Sequence, residues 1–168
     1  LERADVIIGY RAYINQIAGL FPYVSREVSG MKAEVERAKR AIELAKQNKK
    51  IVLVSGGDAG IYGMAGLVYE VLETENDEEI EVEVLPGISS LNAAASLLGA
   101  PLMNDFAVIS LSDYLTPLDD ILGRVIHAVD AGFVLCLFNP CSRQRRIPFQ
   151  RTCFILQQKL PGETPVGI

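Results

Sequence analysis

Short apolar stretches alternate with longer amphipathic stretches along the chain. The apolar stretches predict strands at residues 5–9, 51–54, 80–85, 106–111 and 133–138, with another beginning at Val166. The amphipathic stretches, in which apolar side chains recur every three or four positions, predict helices at residues 10–17, 31–50, 64–72, 91–98, 118–131 and 148–159. A chain in which strands and helices alternate folds as an α/β protein with mainly parallel sheets.

Capping residues mark the ends of several predicted helices. Ser29 or Gly30 is a candidate N-cap for the helix at 31–50. Gly99, with Pro101 just beyond it, suits the C-terminal end of the helix before it. Pro148 fits the first position of the last helix.

Residues 101–105 are a candidate boundary between two groups of elements. We therefore expect an N-terminal α/β domain at 1–104 and the start of a C-terminal α/β domain at 105–168. The chain opens on residues typical of the last turn of a helix and closes as a strand begins. We accordingly expect a chain that is truncated at both ends.

Composition excludes several classes of function. The chain of 168 residues is 49% hydrophobic and carries 16 basic against 21 acidic residues. The net charge of −5 argues against a general nucleic-acid binder, and no apolar run approaches the roughly 18 residues of a membrane helix. Three cysteines without a C-x-x-C pair and a single histidine, His127, predict reduced thiols in a cytoplasmic protein and no metal site.

A glycine-rich loop follows the strand at 51–54. Its sequence, Ser-Gly-Gly-Asp-Ala-Gly-Ile-Tyr-Gly at 55–63, lies between a strand and a helix, where α/β proteins commonly bind ligands. Asp58 would repel a phosphate but can accept hydrogen bonds from the hydroxyls or amines of a nucleoside or an amino-acid-like group. The alternative is a glycine-rich turn in which Asp58 caps the next helix.

A second bend from strand to helix is predicted at residues 86–90. If the preceding strands are neighbours, Ser89 and Ser90 would lie at the same sheet edge as Asp58. The alternative role for Ser89 is to cap the helix that follows.

Four stretches of the sequence resemble a known family. They are SGGDAGIYGMA at 55–65, LPGISSLNAAA at 85–95, DFAVISLSD at 105–113, and Asn139-Pro140 followed by Ser142, Arg143 and Arg146. Together they resemble the tetrapyrrole methylases that use S-adenosylmethionine. Within that family, the third and fourth stretches are most similar to the methyltransferases that act at carbon 17 of precorrin-3B or cobalt-factor III in cobalamin synthesis.

The resemblance implies two α/β domains that face each other across a cleft, usually in a homodimer. It implies that S-adenosylmethionine is the cofactor and that the residues lining its site are Gly56, Gly57, Asp58, Ile61, Ser89, Ser90 and Phe138. It also implies a tetrapyrrole substrate contacted by Asp113, Tyr114, Asn139, Arg143 and Arg146. Forked hydrogen bonds from arginines in the 143–146 loop, Arg145 among them, would suit the substrate's carboxylates, although arginines in a loop are often only solvated.

The implied chemistry is methyl transfer from a sulfonium to a ring carbon, coupled to ring contraction. The tetrapyrrole itself is the nucleophile, so the protein mainly holds donor and acceptor in line. No catalytic residue is assigned, although Asp113 and Tyr114 lie in a plausible loop for a general base.

The chain departs from the family pattern at both ends. It lacks the family's first strand with its Gly-Pro-Gly loop and stops before the second domain is complete, so we expect weak or absent methyl transfer from these 168 residues alone. Two alternatives remain open. One is a methylase for another tetrapyrrole position or for a diphthamide-type protein substrate. The other is a noncatalytic α/β fragment that binds nucleotides or dimerises.

Overall fold

The computed structural model describes residues 1–77, 79–142 and 145–168. The chain divides into two compact units, Leu1–Ser89 and Ser90–Ile168. Each unit contains helices and one parallel sheet, which confirms the predicted α/β class. The domain boundary between residues 104 and 105 stays a prediction; by compactness, residues 90–104 group with the C-terminal unit.

The N-terminal unit is built on a parallel sheet with the strand order β2-β1-β3. Its elements are β1 (Val6–Tyr10), α1 (Arg11–Ile17), β2 (Ser25–Ser29), α2 (Glu34–Ala45), β3 (Ile51–Val54) and α3 (Ala65–Glu75). The central strand β1 is the most buried, because it has a neighbour on each side: Ile7 lies opposite both Arg26 and Val52.

Helices α2 and α3 provide the core of this unit. Ala38 and Ile42 of α2 are buried in one cluster with residues of α3 and the residue before it, namely Met64, Val68, Val71 and Leu72. Ala41 and Leu44, on the adjoining side of α2, pack against Val6 and Ile8 of β1. The apolar residues that recur at helical spacing in the sequence are therefore the residues that are buried in the structure.

The C-terminal unit is built on a sheet of two parallel strands. Its elements are α4 (Ser90–Leu97), β4 (Phe106–Ser110), α5 (Leu118–Asp130), β5 (Val134–Phe138) and α6 (Ile147–Lys159). Its core joins Ile109 and Leu111 to Ile121 and Val125 of α5. Gly99 follows α4 with φ +96, the left-handed conformation that the sequence predicted for a terminating glycine.

Strand β2 was not predicted, because its sequence, Ser-Arg-Glu-Val-Ser, is mostly polar. It lies at the edge of the sheet and pairs only with β1 among the described strands. An edge strand keeps part of its surface in water, so polar residues suit it. Arg26 donates from Nη2 to the carbonyl oxygens of Ala18 (2.8 Å) and Phe21 (2.6 Å), which anchors the strand to the loop before it.

The predicted cap of α2 is wrong. The helix begins at Glu34, Ala33 occupies the N-cap position, and no side chain caps it. Ser29 lies in β2 instead, where its hydroxyl accepts a hydrogen bond from Nε of Arg37 at 2.6 Å. Gly30 follows that strand directly and lies too far before the helix to cap it.

The strands predicted at 80–85 and from Val166 are also wrong for the residues that the structure describes there. Neither stretch pairs with a described strand. In the first stretch Ile80 and Val82 still pack against the core formed by α2 and α3, and Tyr69 donates its hydroxyl to the Val82 carbonyl at 3.3 Å. The apolar side chains at positions 80 and 82 therefore face the core without a neighbouring strand among the described residues, whereas Val84 is exposed.

Among the described residues, the helices are all too short or too polar to cross a bilayer. Over the same ranges, no three His, Cys, Asp or Glu side chains come together as metal ligands would. Cys136, Cys141 and Cys153 are free thiols, and burial raises the pKa of Cys136.

Thr152 in α6 is fully buried, and its hydroxyl finds no hydrogen-bond partner within the described ranges. Burying an unpartnered hydroxyl costs free energy, and valine has nearly the same shape. We expect Thr152→Val to raise the free energy of unfolding by about 1 kcal/mol, measured by urea denaturation. Thr164→Val should lower it, because Oγ1 of Thr164 donates to the Pro161 carbonyl at 2.8 Å. A loss of stability in Thr152→Val would contradict the conclusion that the Thr152 hydroxyl is buried without a hydrogen-bond partner.

Candidate functional site

The glycine-rich loop connects the carboxyl end of β3 to the start of α3. Since β1 and β3 are parallel, the loop lies at the edge where both strands end. The loop is closed by backbone hydrogen bonds from Ile61 N to Asp58 O (3.3 Å) and from Ala65 N to Ala59 O (3.0 Å). Gly57 has φ +69, a left-handed conformation that glycine adopts without strain.

The Asp58 carboxylate joins this loop to the second predicted bend. Its Oδ1 accepts the backbone N–H of Gly60 at 2.8 Å, and its Oδ2 accepts the backbone N–H of Gly87 at 3.0 Å. The bond from Gly87 and then that from Gly60 hold the pKa of Asp58 below its usual range, while partial desolvation opposes them. The carboxylate therefore stabilises two loops at once in its ionised form.

Two glycines in these loops have no room for a side chain. A Cβ added at Gly87 would lie 2.1 Å from the carbonyl oxygen of Gly57. A Cβ at Gly63 would lie 2.5 Å from the carbonyl oxygen of Ala59. Such separations are far below van der Waals contact, so the backbone segments approach each other closely only because both residues are glycine.

The structure corrects two details of the interpretation of these loops. Asp58 does not cap α3: that helix begins at Ala65, with Met64 at the N-cap position and no side-chain cap. The two bends meet through Asp58 and Gly87 and not at the edge of paired strands, because residues 80–85 form no strand.

The predicted cofactor residues are divided between the two units. Gly56, Gly57, Asp58, Ile61 and Ser89 belong to the N-terminal unit, where Ser89 is only 2% exposed. Ser90 is the first residue of α4, and Phe138 is the last residue of β5, in the C-terminal unit. Their roles toward a cofactor stay predictions.

The C-terminal unit has its own pair of loops, after β4 and β5. Asn139 follows β5 with φ +51 and donates from Nδ2 to Oγ of Ser110 at 3.1 Å. Arg145 donates from Nη1 to the carbonyl of Leu111 (2.6 Å) and from Nη2 to the carbonyl of Asn139 (3.1 Å). Its Nε lies 3.5 Å from Oδ1 of Asp113.

Four of the five predicted substrate residues are described by the structure, and they lie on or beside these loops. Asp113 is half-buried and paired with Arg145, Tyr114 is 77% exposed, and Asn139 is exposed. Arg146 is exposed directly before α6, and Arg143 lies outside the described residues. The sequence suggested that Arg145 binds substrate carboxylates. In the structure its guanidinium binds backbone carbonyls of the loops instead.

Sequence reasoning missed a second arginine near the site. Arg37 of α2 is only 5% exposed, although charged side chains on a helix usually lie in water. Its Nε donates to Ser29, its Nη2 to the Gly30 carbonyl at 3.0 Å, and its Nη1 lies 3.6 Å from Sδ of Met64, where the glycine loop ends. The sequence did contain a signal for the burial of Arg37, because position 37 lies on the same helical face as the apolar residues Ala41 and Leu44.

Comparison with known proteins places the whole chain in one family. Residues 1–168 match the profile of the Tetrapyrrole (Corrin/Porphyrin) Methylases. The chain is 46% identical to a protein of Methanothermobacter thermautotrophicus named "Probable cobalt-factor III C(17)-methyltransferase", over 100% of this chain and 47% of that protein. It is 44% identical to the "Cobalt-factor III methyltransferase" of Priestia megaterium, over 100% of this chain and 32% of that protein.

A solved structure shares the fold. The crystal structure of the methyltransferase CobJ matches with a TM-score of 0.89 and 35% identity, over 94% of this chain and 66% of that one. The chain spans from about a third to two thirds of the length of these relatives. The match extends over every motif that suggested the resemblance, which is confirmed: this chain belongs to the tetrapyrrole methylase family.

Proposed function

We propose that this chain is part of an S-adenosylmethionine-dependent methyltransferase that acts at carbon 17 of cobalt-factor III or precorrin-3B in cobalamin biosynthesis. The names of both relatives support cobalt-factor III as the substrate, and the name of the Methanothermobacter relative supports carbon 17 as the position. The structural observation that carries the proposal is the junction of the glycine-rich loop and the Pro86–Ser90 bend through Asp58. That junction unites the two sequence motifs that mark the family.

The residues of this junction fit a cofactor with a nucleoside and an amino-acid group. Gly57 and Gly60 are exposed, so their backbone can lie directly against a ligand. We propose that Gly56, Gly57, Asp58, Ile61 and Ser89 bind S-adenosylmethionine, with Ser90 and Phe138 of the C-terminal unit as further contacts. When bound, the cofactor supplies an activated methyl group on a sulfonium.

The loops after β4 and β5 are the proposed contacts for the tetrapyrrole. Arg146 is exposed and available to bind a substrate carboxylate through a forked hydrogen bond. Tyr114 and Asn139 offer further exposed polar groups, Asp113 is held beside them, and Arg143 completes the proposed set. In this proposal the protein orients the methyl donor and the tetrapyrrole acceptor and excludes water from the reaction. A homodimer, a cleft between facing domains and a cytoplasmic location belong to the same proposal.

The first test is calorimetric titration of S-adenosylhomocysteine into the protein made from the complete reading frame. We expect saturable binding at one site per chain, because Asp58 holds the two loops of the junction together through its bonds to Gly60 and Gly87. A folded protein that does not bind would overturn the cofactor assignment and favour a noncatalytic α/β module. If binding is found, methyl transfer from a labelled donor should be measured with cobalt-factor III and precorrin-3B. Transfer only to another tetrapyrrole or to a protein would replace the proposed substrate.

A further inference from the structure

Arg145 holds together the two loops at the carboxyl end of the C-terminal sheet. We propose that it is a positioning residue for the tetrapyrrole: it binds the protein's own backbone and thereby fixes the surface that contacts the substrate. This inference rests on the proposed function. It differs from the role that the sequence suggested for the loop arginines, which was direct binding of substrate carboxylates.

The guanidinium spans two elements that are not adjacent in sequence. The Leu111 carbonyl belongs to a fully buried residue whose N–H donates to the Phe138 carbonyl at 2.8 Å, so it continues the ladder between β4 and β5. The Asn139 carbonyl belongs to the loop after β5. Arg145 donates to both, at 2.6 and 3.1 Å, and so fixes the second loop to the rigid end of the first strand.

Arg145 is itself held in place. Its backbone exchanges hydrogen bonds with that of Ser142, from Ser142 N to Arg145 O at 2.9 Å and from Arg145 N to Ser142 O at 3.3 Å. Its Nε faces Asp113 at 3.5 Å, and both side chains are largely shielded from water. A planar fork with five donors can satisfy two carbonyls and a carboxylate together, whereas an ammonium group cannot match that geometry.

Arg145 also stabilises the backbone of Asn139. Its left-handed backbone, φ +51, is tolerated by asparagine but is less favourable than an ordinary conformation. The bond from Arg145 to its carbonyl and its own bond to Ser110 stabilise that conformation. The exposed Asn139 and the Asp113–Tyr114 segment, all proposed substrate contacts, are thereby ordered before the substrate arrives. Preorganisation of this kind improves binding because less ordering remains to be done.

The test compares Arg145→Gln and Arg145→Lys with Arg151→Gln in the protein from the complete reading frame. Arg151 is exposed on α6, so the control removes the same charge from the same unit. Loss of the charged hydrogen bonds in Arg145→Gln should raise the KM for the tetrapyrrole about tenfold, with lysine giving an intermediate value. The kcat and the affinity for S-adenosylhomocysteine should stay within about twofold, because the partners of Arg145 among the described residues all belong to the C-terminal unit.

Amide hydrogen exchange without substrate gives an independent readout. In Arg145→Gln, exchange at residues 111–114 and 139–142 should rise about tenfold, while exchange in α5 should not change. Unchanged exchange in these loops, or an unchanged KM in an active enzyme, would overturn the positioning role. Equal losses in stability, cofactor affinity and KM would also overturn it, in favour of a general structural role. An unmodified protein that fails to methylate would overturn the proposed function alone, since the exchange measurement would still decide the role of Arg145.

Discussion

Replacing Gly87 by alanine is expected to reduce methyl transfer by roughly a hundredfold and to weaken the binding of S-adenosylhomocysteine severely. The new Cβ would lie 2.1 Å from the carbonyl oxygen of Gly57, so the two loops must move apart by more than an ångström. That movement also breaks the 3.0 Å bond from Gly87 N to Asp58 Oδ2. Displacements of this size at reacting groups cost about two orders of magnitude in rate.

The measurement is calorimetric titration of S-adenosylhomocysteine, with Gly66→Ala as the matched control. Gly66 is an exposed residue of α3, and a Cβ there would meet no heavy atom within 4 Å. The control should bind normally and gain about 0.5–1 kcal/mol of stability, because alanine favours a helix more than glycine does. Gly87 is exposed and has no positive φ, so alanine suits its backbone and only the contact with Gly57 is tested. Normal binding by Gly87→Ala would show that the loops do not meet as described.

The buried elements of the fold could be predicted from the sequence because burial leaves a periodic pattern. The apolar runs that became β1, β3 and β5 and the helical spacing that became α2 and α5 each correspond to side chains in a core. Edge strands leave no such pattern. β2 was missed because much of its surface faces water, and the strand at 80–85 was wrongly predicted because alternation indicates an apolar face and not a hydrogen-bonded neighbour.

The site could be predicted as a set of segments but not as a set of contacts. Glycines and the Pro-Gly turn marked the loops, and the family resemblance predicted which residues line them. The partners of Asp58, and two of the three partners of Arg145, are backbone groups; every residue has these, so no side-chain pattern indicates them. The one signal was indirect: a glycine at position 87 is consistent with a backbone approach that excludes a Cβ.

Asp58→Asn is expected to weaken the binding of S-adenosylhomocysteine about thirtyfold at neutral pH, because one charge-assisted hydrogen bond is lost and the other becomes neutral. An amide keeps one acceptor oxygen but presents its NH₂ group to the second backbone N–H. Either Gly60 or Gly87 then loses its acceptor. Asp119→Asn is the matched control. It removes the same charge from an exposed residue in the first turn of α5.

The effect of Asp58 should also depend on pH in a defined direction. The pKa of Asp58 is lower in the folded protein than its usual value of about 3.9. A lowered pKa means that the stabilisation is complete above the unfolded-state value and is lost as the pH falls through the folded-state value. The difference in unfolding free energy between the unmodified protein and Asp58→Asn should therefore be constant from pH 5 to 7 and shrink below about pH 4.

Urea denaturation of the unmodified protein and of Asp58→Asn, at pH values from below about 4 to 7, measures the difference in unfolding free energy. Asp119→Asn is measured in the same way as the control. The Asp58→Asn and Gly87→Ala changes should also be strongly non-additive when combined, because each disrupts the same bond between the loops. Additive effects, or a difference that persists undiminished in acid, would show that Asp58 acts on the cofactor through some property other than the ionised bridge to Gly87. If both expectations hold, the aspartate of the glycine-rich loop acts first by joining two loops, and any direct contact with the cofactor depends on that junction.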